Sequence, residues 1–226
     1  MVDVFISYRR KDSLETCREL YRHLTEDLPD LEIFMDVEDI DSGKKWREVL
    51  EKGVKNCDVL LAVIGPEWLS IENDEGVRRI TETTDYVRRE ISKAIRNHKG
   101  IIPVMLPGVP IPKENELPAS IKALPRYQDF KLSDNLEADA KKLALKIRSA
   151  IKEKKAADRG RLAYKIFERV GIALIFPFYI LSEIASRLVK GRSSTARNLM
   201  RFIVMALICI GSFWLLYLLV QSILHP

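Results

Sequence analysis

Cys57–Ile64, CDVLLAVI, is eight residues long and apolar at every position except Asp58. A run so short and so free of spaced charges reads as a β-strand buried on both faces, as parallel strands are. Val2–Ser7 (VDVFIS), Leu31–Val37 (LEIFMDV) and Ile101–Leu106 (IIPVML) have the same character. Between them apolar residues recur at helical spacing: Leu14, Cys17, Tyr21, Leu24 and Leu28 behind Asp12 and Ser13 as caps, then Trp46, Val49, Leu50 and Val54, then Val87, Ile91, Ala94 and Ile95. Leu136, Ala140, Leu143, Ala144, Ile147 and Ile151 mark a last helix. Strands alternating with helices predict an α/β fold, an open, doubly wound, five-stranded parallel sheet with its fifth strand near Tyr127–Phe130.

In such sheets ligands sit beyond the C-terminal ends of the strands, where the strand order reverses. That rule selects the segments SYRRKDS, DVEDIDSGKKW, IGPEWLS and PGVPIP. None contains GxGxxG or GxxxxGK[ST], which argues against a dinucleotide fold of Rossmann type and a P-loop NTPase. Cys17, Cys57 and Cys209 are an odd, widely spaced set, and His23, His98 and His225 stand apart from them. Neither a disulfide scaffold, a metal site nor a Ser or Cys hydrolase triad is indicated. The chemistry must come from Arg, Asp, Glu and aromatic side chains.

Within the 226 residues the net charge is +5, but its distribution is uneven. Residues 151–201 hold twelve Lys and Arg against four Asp and Glu, whereas residues 1–150 hold 25 against 28. The N-terminal part is therefore mildly acidic, which argues against nucleic acid as its partner. Phe202–Leu224 is an uncharged run of 23 residues, long enough to cross a hydrocarbon core of about 30 Å. With Lys190, Arg192, Arg197 and Arg201 just before it, the run reads as a transmembrane helix, a C-terminal anchor in the cell membrane that leaves the N-terminal domain in the cytoplasm. Val170–Ser182 has only 13 uncharged residues around Pro177. It reads as part of an interfacial or re-entrant helix near 162–189 touching membrane lipid, with a second span as the competing reading. The expected organisation is thus a domain at 1–150, a basic juxtamembrane region at 151–201 and a span at 202–224.

VFISYRR at 4–10, FMDVEDIDSGKKW at 34–46, NCDVLLAVIGPEWL at 56–69 and DYVRREISKAI at 85–95 leading into GIIPVML together resemble the Toll/interleukin-1 receptor (TIR) domain, in this order and spacing. The likeness covers about residues 1–150 and is nearest the NAD-cleaving branch, which includes bacterial defence proteins. It implies a NAD+ hydrolase acting as a prokaryotic defence or signalling effector, with NAD+ as substrate rather than cofactor and self-association between TIR domains. In that branch a Glu within a pattern like D-[WY]-V-x-x-E is catalytic; Asp85, Tyr86, Val87 and Glu90 fill the pattern here, which implies Glu90 as the catalytic residue and the Tyr86 ring as a ligand contact. The family likewise implies NAD contacts for Arg9, Arg10, Asp41 and Gly43.

The chemistry is coherent with one carboxylate. The nicotinamide of NAD+ is already cationic and departs neutral, so no general acid is needed, unlike ordinary glycosides. On residue type alone a second description of each group stands. Glu90 is a solvated helix residue, Arg9 and Arg10 are strand-end charges beside Asp12, Asp41 is a turn or helix cap, and Trp46 and Trp68 pack in the core. A non-enzymatic scaffold signalling through TIR–TIR assembly is the function from the other class.

Overall fold

The computed structural model describes residues 2–35 and 53–188, together with Gly211, Trp214 and Tyr217. Five strands, β1 (Val4–Ser7), β2 (Ile33–Met35), β3 (Val59–Ile64), β4 (Gly100–Met105) and β5 (Phe130–Lys131), form one sheet in the order β2-β1-β3-β4-β5. Every pairing is parallel: Val4 lies opposite Ile33 on one side and Val59 on the other, Val59 opposite Gly100, and Val104 opposite Phe130. The fifth strand begins at Phe130, at the end of the stretch expected, because Leu124–Arg126 with Pro125 forms a tight 3₁₀ turn just before it.

Alternation along the strands decides which helix covers which face. Val4 and Ile6, with Val59, Leu61 and Val63, join Cys17, Leu20 and Leu24 of α1 (Arg10–Asp27) and Ala140, Leu143 and Ile147 of α3 (Leu136–Leu188). Phe5, Leu60, Ala62 and Ile64 face the other way, onto Val87, Ile91 and Ala94 of α2 (Tyr86–Arg96). All six residues of β3 are buried, as its unbroken apolar run requires. The backbone passes from β1 through α1 to β2 on one flank and from β3 through α2 to β4 on the other. The switch point therefore lies between β1 and β3.

Two caps differ from the expected ones. Neither Asp12 nor Ser13 starts α1, which begins at Arg10 with Ser13 bent out of helical geometry inside it. The Ser13 hydroxyl instead donates to the Arg9 carbonyl, and the Asp12 carboxylate accepts from the Glu67 backbone N–H at 2.8 Å, tying the loop after β3 to the start of α1. Gly65 lets that carboxylate approach. A Cβ there would overlap both Asp12 carboxylate oxygens.

By contacts the protein divides into two compact units, Met1–Lys154 and Lys155–Pro226. Among the described residues no helix is long and apolar enough to cross a membrane. This overturns the expected location, a domain tethered to the cell membrane by a C-terminal anchor. The physical reason is plain in α3, whose sequence carries charges through its first half and whose longest uncharged stretch, at 170–182, is 13 residues. The expected span at 202–224 lies, apart from Gly211, Trp214 and Tyr217, outside the described residues, as do Asp41, Gly43 and Trp46.

Two outcomes follow from this packing. Gly65→Ala should lower stability by about 1–3 kcal/mol, read from the midpoint of a urea unfolding curve, because Asp12 must give up its bond to Glu67. Burial pushes the Cys17 thiol up to about 12 and the Cys57 thiol up to about 11. At pH 8 both should stay unmodified by iodoacetamide in the native protein and react fully in denaturant, as mass spectrometry of the tryptic peptides would show.

Candidate functional site

β1 ends at Ser7, and the next two residues lead out of the sheet at the switch point. Arg9 does not reach solvent there. Its side chain is 3% exposed and turns back toward α2, where Nη1 donates to Asp85 Oδ2 at 2.9 Å and Nη2 to Asp85 Oδ1 at 3.3 Å. The third nitrogen, Nε, donates to the Trp68 carbonyl at 2.9 Å, and the guanidinium lies 5.7 Å from the Trp68 ring centre. One planar fork thus joins the exits of β1 and β3 to the head of α2, a geometry an ammonium group cannot reproduce.

Asp85 receives this fork while capping the helix. Its Oδ1 accepts the Arg88 backbone N–H at 2.8 Å, and its side chain is fully buried. The negative charge sits where the helix N-terminus favours it. Arg79 stands 3.8 Å away as a second, half-exposed cation. Arg88 in turn donates to the Thr81 carbonyl and, at 3.0 Å, to the Ser120 hydroxyl, so the first turn of α2 is held on two sides.

With its head fixed, α2 presents Tyr86 and Glu90, one turn apart, along one side. Both are half-buried. The Ser7 hydroxyl donates to Glu90 Oε2 at 2.6 Å, within the range of a charge-assisted bond. A cavity of about 300 Å³ opens beside the helix, with Tyr86, Glu90, Lys93 and Val54 among its walls and Arg88, Arg89 and Arg96 also lining it. Four cations against one carboxylate make this lining suited to an anionic ligand, and Tyr86 adds an aromatic surface.

Of the residues expected in a site, the structure brings Glu90 and Tyr86 to one cavity and pairs Arg9 with Asp85, outside its lining. Arg10 is exposed at the first position of α1. Ser7, the capping role of Asp85 and the cations of α2 were not singled out from the sequence. Asp85 immediately before a helical apolar period was the one local signal available for its part. Nothing local marks Ser7, whose partner is 83 residues away. Among the described residues no cluster of three or more His, Cys, Asp or Glu is arranged to hold a metal ion.

Comparison with known proteins gives a family match and a more distant enzyme relative. Residues 4–145 match the family model described as TIR domain. Over 127 residues the sequence is 28% identical to the NAD(+) hydrolase sarm1 of Drosophila melanogaster, a match spanning 56% of this protein and 9% of that protein's length. Similar solved structures include a metazoan TIR-STING receptor from C. gigas in complex with 2',3'-cGAMP, at TM-score 0.39 and 19% identity, covering 66% of this protein and 38% of that one. The TIR domains of the activated Roq1 resistosome match at TM-score 0.34 and 16% identity, covering 68% and 83%.

Removing one partner of the fork should be costly. Arg9→Ala leaves the Asp85 carboxylate buried with Arg79 as its nearest cation, and a loss of about 3–5 kcal/mol is expected in chemical denaturation. Arg9→Lys should recover only part of it, since a single ammonium cannot serve Asp85 and the Trp68 carbonyl in the same geometry.

Proposed function

Because the protein belongs to the TIR domain family, matched across residues 4–145, we propose that its folded domain is a NAD+ glycohydrolase that cleaves the nicotinamide–ribose bond, with Glu90 as the catalytic residue. The observation that carries this reading is Glu90 itself: a half-buried carboxylate in the lining of a cationic cavity, its Oε2 taken up by the Ser7 hydroxyl at 2.6 Å. A surface glutamate has no such fixed placement. The relationship to a NAD(+) hydrolase supports the same choice of substrate.

The reaction breaks the C1′–N bond, and the electron pair leaves with nicotinamide, which departs neutral. Positive charge then develops on the ribose ring, as in other glycoside cleavages. Glu90 faces that charge and hydrogen-bonds ribose hydroxyls, an electrostatic role worth about 10²–10³ in rate. The anionic diphosphate of the substrate matches the cations along α2, and the Tyr86 ring offers a stacking face. Arg10, Asp41 and Gly43 complete the ligand contacts in this reading, whereas Arg9 acts through Asp85 by setting the angle of α2. Water captures the ribosyl cation to give ADP-ribose, and capture by the substrate's own adenine gives a cyclic product instead. Self-association of TIR domains supplies the remaining walls of the site.

Incubation of the full-length protein with NAD+ at high protein concentration should release nicotinamide, measured by liquid chromatography and mass spectrometry. Glu90→Ala should lower that release at least a hundredfold while the protein stays folded, its Tm falling by only a few degrees because the Ser7 hydroxyl loses its acceptor. Equal release from both proteins would defeat the assignment.

A further inference from the structure

Ser7 closes a strand whose other residues, Val4, Phe5 and Ile6, are all buried and apolar. It is itself 1% exposed. A hydroxyl in that setting needs an acceptor for its single proton, and a buried donor left without one is costly. The acceptor is Glu90 Oε2. The donor is rigidly placed, because β1 lies inside the sheet between β2 and β3 and Ser7 is in register with Ala62.

The acceptor stands on a helix tied to the same strand exit. Arg9, two residues beyond Ser7, holds Asp85, five residues before Glu90. Two cross-links therefore run from one three-residue stretch of backbone to two successive turns of α2. The Arg9 link fixes where the helix starts and how it is tilted. The Ser7 link favours one arrangement of the Glu90 side chain, which has three rotatable bonds.

From this geometry we infer that Ser7 is a positioning residue for Glu90: its hydroxyl holds the carboxylate at the angle from which it meets the reacting sugar. The inference rests on the catalytic reading of Glu90. Ser7 touches no substrate and carries no proton in the reaction. Its effect enters through the aim of the carboxylate, where a displacement of about 1 Å is worth about a hundredfold in rate.

The test uses the full-length protein with Ser7→Ala, Ser7→Thr, Glu90→Ala and the double variant Ser7→Ala/Glu90→Ala. In nicotinamide release, Ser7→Ala should lower kcat about tenfold to a hundredfold with KM altered less than about twofold, and Ser7→Thr, which keeps the hydroxyl, should restore most of kcat. In thermal unfolding, Ser7→Ala should lower Tm by roughly 2–4 °C in the parent and by less than half of that in the Glu90→Ala background, the coupling expected of a direct bond. An unchanged kcat, or equal Tm losses in the two backgrounds, would overturn the inference. Should the parent release no nicotinamide, the enzymatic reading falls by itself, and the thermal cycle still decides whether Ser7 holds Glu90.

Discussion

The buried pair between Arg9 and Asp85 is the constraint on which the rest of the site depends. Its two partners come from distant parts of the domain sequence, one from the exit of β1 and one from the head of α2. Burying two charges costs several kcal/mol for each ion, and the contacts around the pair offset part of that cost. Five polar contacts converge on the pair: two within the fork, one to the Trp68 carbonyl, one from the Arg88 N–H, and the nearby Arg79. Such a pair adds little net stability over an apolar replacement, but its bidentate geometry restricts the relative placement of strand and helix. The direction in which α2 carries Tyr86 and Glu90 follows from it.

The sheet supplies the frame for this contact. Because β1 and β3 are neighbours whose crossovers leave toward opposite faces, their exits diverge and open space above the sheet edge. Arg9 and Trp68 fill part of that space, and Asp12 secures the adjacent turn over Gly65. The polar and aromatic side chains around the switch point therefore divide into two groups. Arg9 and Asp85 pair with each other, whereas Glu90, Tyr86 and the cations of α2 line the cavity.

Charge distribution carries a separate lesson. The positive excess belongs to residues 151–201, with twelve Lys and Arg against four Asp and Glu, and not to residues 1–150, with 25 against 28. An uncharged run and a basic flank pointed to a membrane anchor, yet among the described residues no helix meets the length and apolarity that crossing requires. In α3 the apolar positions of the first part, Ala140, Leu143, Ala144, Ile147 and Ile151, are used against the sheet, and the helix then continues through a charged stretch.

Strand runs and helical periods in the sequence were enough to determine the doubly wound sheet, because burial on two faces writes itself into short apolar runs and burial on one face into a 3.6-residue period. Glu90 and Tyr86 were named by the resemblance that the ordered motifs carry, not by this local reading. It could not determine what those residues stand on. The acceptor of Ser7 lies 83 positions away and that of Arg9 lies 76 positions away, and at such separations composition and spacing carry no record of contact. Nor could it decide that Arg9, which offers the same five donors whether it meets a ligand or a buried carboxylate, meets Asp85. Tertiary structure decided that, since the sheet brings the end of β1 under the head of α2 and leaves a desolvated Asp85 there for the fork to neutralise.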